Sequence, residues 1–173
     1  WVTDRRNFSS LYLLNIGETG SGKEHTKTVL ETMLEQAGLT DLIGPAGYTS
    51  GAGVMSTLIK KPVHVAVVDE LGRQLKAAAA TGMQHKADAL TAIMECFGRQ
   101  DGTLRPQGYS TMTLKSAEAE KLEKFVRRPS LTLVGMSTPS EFMKAIGGGD
   151  VASGLLNRFL IVKSEIGVQL SQR

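Results

Sequence analysis

The sequence predicts an α/β fold in which a mostly parallel sheet of about five strands carries helices on both faces. Three observations point there. Short apolar runs at Leu11 to Ile16, Val63 to Val68 and Leu131 to Met136 alternate with segments of helical spacing. Val63-His64-Val65-Ala66-Val67-Val68 is nearly continuous in apolar character, as strands covered on both faces are. Each run also stops at polar residues: Gly17 to Lys23, Asp69-Glu70 and Ser137-Thr138. A parallel sheet brings such strand ends to one edge, where ligands bind.

The elements follow in order. Leu11 to Ile16 reads as a buried strand ending at a glycine-rich turn. Lys23 to Ala37 reads as a helix with Val29, Leu30, Met33, Leu34 and Ala37 facing inward and Gly38 as its stop. Asp41 to Thr49 is turn-rich, with a short strand around Leu42-Ile43. Ser50 to Lys60 reads as a second helix with Val54, Leu58 and Ile59 inward, and Pro62 resets the chain before Val63. Leu71 to Ala80 and Lys86 to Phe97 read as helices divided by Thr81-Gly82. Asp101 to Lys115, with Gly102, Pro106 and Gly108, reads as a hairpin or loop insertion, and Ala117 to Val126 as a charged amphipathic helix stopped before Pro129. Leu131 to Met136 is another strand, Glu141 to Ile146 a short helix, Gly147-Gly148-Gly149 a turn, and Phe159 to Val162 the last strand.

With 173 residues the chain suits one domain with a sizeable core. Hydrophobic content of 41% and charged content of 21% are ordinary for a folded domain and argue against disorder. The apolar runs are too short and too broken to span a bilayer. The first residues, Trp1-Val2-Thr3-Asp4-Arg5-Arg6, show neither a starting Met nor a signal peptide, and the chain is read as a piece of a longer protein. The single cysteine, Cys96, excludes an internal disulfide and suits a reducing cytoplasm. The net charge of +3 permits an anionic partner without requiring one.

Gly17-Glu18-Thr19-Gly20-Ser21-Gly22-Lys23 fits G-x-x-x-x-G-K between a strand and a helix. Glycines let successive backbone N–H groups curl around an anion, and the next helix presents its positive end. Gly17, Glu18, Thr19, Gly20, Ser21, Gly22, Lys23, Glu24 and His25 are therefore expected to contact nucleotide, with Lys23 reaching the β- and γ-phosphates. The usual Ser or Thr after the lysine, a Mg2+ ligand, is replaced by Glu24. Glu24 either holds Mg2+, directly or through water, or only complements the helix dipole.

Asp69-Glu70 closes a strong apolar strand. Asp69 is expected to hold Mg2+ and Glu70 to orient and deprotonate the attacking water, unless the pair is only an acidic turn. Ser137 or Thr138 would contact the γ-phosphate or the water, against the plainer reading of a helix cap before Pro139. Arg158, just before the last strand, would reach the γ-phosphate of a neighbouring subunit, against a surface salt bridge. Arg99, Arg105, Tyr109 and Lys115, with Arg127 and Arg128 nearby, could track a nucleic-acid backbone, with Tyr109 stacking on a base. A solvated face beside a charged helix is the plainer reading of them. Lys76, His64 and Cys96 carry no motif and are read as structural.

In this order, Gly-Glu-Thr-Gly-Ser-Gly-Lys-Glu, Val-Val-Asp-Glu, Gly-Met-Ser-Thr-Pro and Gly-Leu-Leu-Asn-Arg-Phe-Leu resemble a family of uncharacterised helicase-like ATPases of phages, prophages and plasmids. The resemblance runs from about Leu11 to Val162, and an acidic residue after the P-loop lysine is familiar in that group. It implies a RecA-like/AAA+ P-loop domain that binds ATP and Mg2+. It further implies a homo-oligomeric, hexameric DNA-dependent motor, in the cytoplasm of a bacterial or phage-infected cell. Helicase action rests on this analogy. A P-loop kinase of a small molecule and a non-hydrolysing ATP-gated assembly module are the alternatives. No Asn-Lys-x-Asp segment speaks for GTP.

Overall fold

A computed structural model describes residues 10–80, 82–106, 125–146 and 154–164. Its centre is a parallel sheet of four strands, β1 (Tyr12–Ile16), β2 (Val63–Val68), β5 (Ser130–Ser137) and β6 (Phe159–Lys163), in the order β2-β5-β1-β6. The helices are α1 (His25–Gln36), α2 (Gly51–Lys60), α3 (Leu71–Ala78), α4 (Gln84–Cys96) and α5 (Pro139–Ile146). The α/β class and the parallel sheet agree with the sequence reading. The expected count of about five strands is one too many among the described residues. The segment around Ile43 makes only an isolated parallel bridge to Val65, after a 3-10 turn at Thr40–Leu42.

Strand alternation divides the core. Tyr12, Leu14 and Ile16 of β1, Ala66 and Val68 of β2 and Leu131 and Leu133 of β5 are buried together with Val54 and Leu58 of α2, Leu71 and Leu75 of α3 and Ile93 of α4. Tyr12 anchors this layer: its hydroxyl donates to the Ile93 carbonyl at 2.7 Å, and its ring packs edge-on to Phe97. The other sheet face is thinner. Val67, Val134 and Met136 form a small cluster, and of the expected inward face of α1 only Leu30 packs on it. No residue of α1 is buried, and Val29 and Met33 are exposed. Of the five residues the periodicity set inward, Val29, Met33 and Ala37 are exposed, and only Leu30 packs on this cluster.

Two short strands lie outside the sheet: β3 (Thr103–Leu104) pairs antiparallel with β4 (Val126–Arg127). Val126 is thus a strand residue, where helical spacing predicted the end of a helix. The rest of that helix, most of the 101–115 insertion and the Gly147 to Gly149 turn fall outside the described residues. No helix among the described residues is long and apolar enough to cross a membrane.

Candidate phosphate-binding site

Register decides what meets at the carboxyl edge of the sheet. Ile16 is level with Ser137, and Val68 is level with Gly135. With β5 lying between β1 and β2, the residues after Ile16, after Val68 and at Ser137 emerge side by side. They enclose a cleft lined by Thr19, Lys23, Glu24, Asp69, Glu70, Arg73, Ser137, Thr138 and Glu141. Its volume of about 140 Å³ lies below the roughly 300–1,000 Å³ of whole small-molecule pockets. It suits the phosphate end of a ligand.

The loop at Gly17 is tied to the sheet, its amide donating to the Ser137 carbonyl at 3.1 Å. Gly20 and Gly22 have φ of 78° and 80°, the left-handed region that a side chain makes costly. A turn from Ser21 N–H to the Glu18 carbonyl closes the loop at 3.1 Å, and the His25 amide bonds back to Gly22 at 2.9 Å to start α1. The Lys23 side chain lies folded against the loop, 8% exposed. Among the described residues its ammonium makes only long contacts, 3.4 Å to the Glu18 carbonyl and 3.5 Å to Glu24 Oε1. Such distances are at the weak limit of hydrogen bonding. The side chain is thus largely covered while its ammonium, at the cleft, is held only by these long contacts among the described residues.

Asp69 Oδ1 accepts from the Glu70 amide at 2.8 Å. Glu70 sits at φ 51°, ψ 39°, left-handed and non-glycine, at the N-terminus of α3. That conformation costs about 1–2 kcal/mol for an L-residue, and such strain collects at functional sites. The Glu70 carboxylate accepts from Arg73 Nη1 at 2.6 Å, and both side chains are more than half exposed. Ser137 is buried, its hydroxyl donating to the Thr138 carbonyl at 3.0 Å. Thr138 caps α5, its Oγ1 accepting from the Glu141 amide at 3.3 Å ahead of Pro139. The capping role weighed for this pair therefore belongs to Thr138, although Thr138 also lines the cleft. Glu141 lies beside Lys144, with Lys76 and Arg73 near, and Lys144 above all holds its carboxyl below the usual range.

The sequence-predicted residues divide cleanly. Thr19, Lys23, Glu24, Asp69, Glu70, Ser137 and Thr138 share the cleft. Gly17, Glu18, Gly20, Ser21, Gly22 and His25 shape the loop behind it without lining it. Arg158 does not line it either. Phe159 pairs with Tyr12 at the opposite end of the strands, and the Arg158 guanidinium bonds the Gly154 carbonyl. Arg73 and Glu141 were missed. Arg73 lies one helical turn after Glu70, a spacing that puts side chains together, and this was the available signal.

Arg105 lines a second cleft of about 440 Å³ with Asp101, Thr103, Phe125, Arg127 and Arg128. The Arg127 guanidinium stands 5.5 Å from the Phe125 ring centre, and Phe125 is 53% exposed. Arg99 follows α4 and does not line this cleft. Tyr109 and Lys115 lie outside the described residues.

Among the described residues no group of three or more His, Cys, Asp or Glu side chains forms a metal cage. The donor set in the main cleft still suits Mg2+, which keeps most of its waters and takes one or two carboxylates plus substrate phosphates. Asp69 and Glu24 supply carboxylates beside Lys23. Compared with known proteins, the chain matches no protein-family model and no curated sequence.

Proposed function

We propose that this chain is a RecA-like/AAA+ P-loop domain that binds Mg2+–ATP and hydrolyses it. The observation that carries the reading is the meeting of Lys23, Asp69, Glu70 and Ser137 in one cleft from three strand ends far apart in sequence. The placement of β5 between β1 and β2 supports it, because it sets Ser137 between the phosphate loop and the acidic pair.

In this mechanism the loop amides and the N-terminus of α1 cradle the phosphates. Lys23 leaves its long contacts to Glu18 and Glu24 and neutralises the β- and γ-phosphates. Asp69 and Glu24 would hold Mg2+, which when bound screens phosphate charge. Glu70 takes a proton from water while the water oxygen forms its bond to the γ-phosphorus. The bond from that phosphorus to the bridging oxygen breaks, and ADP and inorganic phosphate leave. Ser137 donates to the γ-phosphate or the water after releasing the Thr138 carbonyl. Arg158, at the far edge of its own sheet, can act only on a neighbouring copy, so its role requires a homo-oligomer such as a ring.

The wider reading is a helicase-like motor in phage or plasmid DNA replication. The basic cleft with Arg105, Arg127, Arg128 and exposed Phe125 favours it, because guanidinium groups beside an aromatic ring suit a single-stranded backbone and its bases. The experiment is phosphate release from Mg2+–ATP at high protein concentration, with and without single-stranded DNA. Turnover lost in Glu70→Gln supports the ATPase, and stimulation by DNA supports the motor. A phosphorylated small-molecule acceptor instead of free phosphate would indicate a kinase. Binding without turnover would indicate an ATP-gated assembly module.

A further inference from the structure

Within the cleft one cation stands where no motif placed it. Arg73 Nη1 lies 2.6 Å from Glu70 Oε2, and Arg73 lines the same cleft as Lys23 and Ser137. Glu70 is fixed by its place at the head of α3, where the amides of Arg73 and Gln74 donate to its carbonyl at 2.9 and 3.2 Å. The backbone under both partners is therefore set, and only side chains have to move.

The pairing has a chemical consequence. The guanidinium occupies Glu70 Oε2, one of the two oxygens through which the carboxylate would take a proton from water. The pair is also cheap to break. Both side chains are exposed, at 69% and 56%, and solvent screens such a pair so that it contributes little. A terminal phosphate brings more negative charge and three acceptor oxygens, and a guanidinium matches it with two parallel bonds. Glu141 is a second carboxylate near Arg73, but Lys144 holds it at 3.2 Å.

Resting on the nucleotide-site reading above, we infer that Arg73 senses the γ-phosphate: it pairs with Glu70 while that position is empty and swings to the phosphate when ATP fills it, freeing Glu70 as base. ADP leaves the γ-position empty, so Arg73 stays on Glu70. The readiness of the base is thereby tied to the presence of its substrate. In the unfilled site Arg73 is a positioning residue for Glu70, and in the filled site it becomes a ligand of the phosphate.

Calorimetric titration with ADP and with the slowly hydrolysed analogue ATPγS, each with Mg2+, tests this on the unaltered chain, Arg73→Ala and Arg73→Lys. The expected result is that Arg73→Ala weakens ATPγS about tenfold or more, as loss of a charged hydrogen bond does. ADP affinity should stay the same or rise slightly, and Arg73→Lys should recover part of the loss. A merely structural role would weaken both nucleotides together. Equal weakening of both, or no change in either, overturns the inference while leaving the nucleotide site standing. Failure of the unaltered chain to bind either nucleotide overturns both.

Discussion

Gly72 and Ser137 touch so closely that a methyl group on Gly72 would lie 2.2 Å from the Ser137 hydroxyl oxygen. This approach lets the first turn of α3 press against the end of β5 and brings Glu70 and Arg73 to the cleft beside Ser137. The same added carbon would stand 3.2 Å from the backbone at Glu141 and Phe142, in α5. Gly72→Ala should cost about 1–3 kcal/mol of stability in urea unfolding, as overpacking does. Adding Ser137→Ala should recover only part of it, because the backbone of α5 cannot move aside as a hydroxyl can. Unchanged stability in Gly72→Ala would contradict this account of the interface.

Glu70 holds a left-handed conformation in spite of its side chain. Glycine there relieves about 1–2 kcal/mol of strain and returns about 0.4–1 kcal/mol through the freer unfolded chain. Glu70→Gly should therefore leave stability unchanged or raise it by about 1 kcal/mol, while removing any turnover. Most substitutions destabilise, so the result is diagnostic. A loss of more than about 1 kcal/mol would mean the carboxylate stabilises the fold.

Gly20 and Gly22 carry positive φ with nothing within 4 Å of an added carbon. Alanine at either position strains only the loop backbone. In the proposed mechanism the curl that these two glycines allow is what turns the loop amides toward phosphate. Each substitution should weaken nucleotide binding about tenfold and lower the thermal midpoint by no more than the few degrees that about 1–2 kcal/mol of local strain costs. A large drop in the midpoint would show that the loop conformation supports the fold itself.

His64 lies buried, with Nδ1 2.7 Å from the Lys61 carbonyl and Nε2 bonded to the Tyr48 hydroxyl. The carbonyl can only accept, so Nδ1 carries the proton and Nε2 accepts from Tyr48. Burial lowers its pKa below the ordinary 6.5, with the Lys61 charge adding to this and the Lys61 carbonyl opposing it. The unfolded chain then binds more protons as pH falls below about 6.5, so stability declines from there and levels off below the folded pKa. Urea midpoints at pH 7.5 and pH 5.5 should differ more for the unaltered chain than for His64→Gln. Equal differences would show that other groups carry the pH dependence.

Much of the site was legible because its residues sit at strand ends. Gly17 to Lys23, Asp69-Glu70 and Ser137-Thr138 follow apolar runs that can be read in one dimension, and the parallel sheet does the rest. Arg73 was not legible with the same ease, since its partnership depends on the turn that Glu70 makes before α3. The exposure of Val29 and Met33 was hidden because periodicity reports direction and not depth. Leu104 and Val126 pair as two-residue strands, too short to show alternation, across a stretch that carries helical spacing.

The most direct test is calorimetric titration of Mg2+–ATP into the unaltered chain and into Lys23→Ala. The account predicts saturable binding of one nucleotide per chain, weakened at least about tenfold when the ammonium is removed. Equal affinity in both proteins, or no binding to the unaltered chain, would contradict a phosphate site at Gly17 to Lys23.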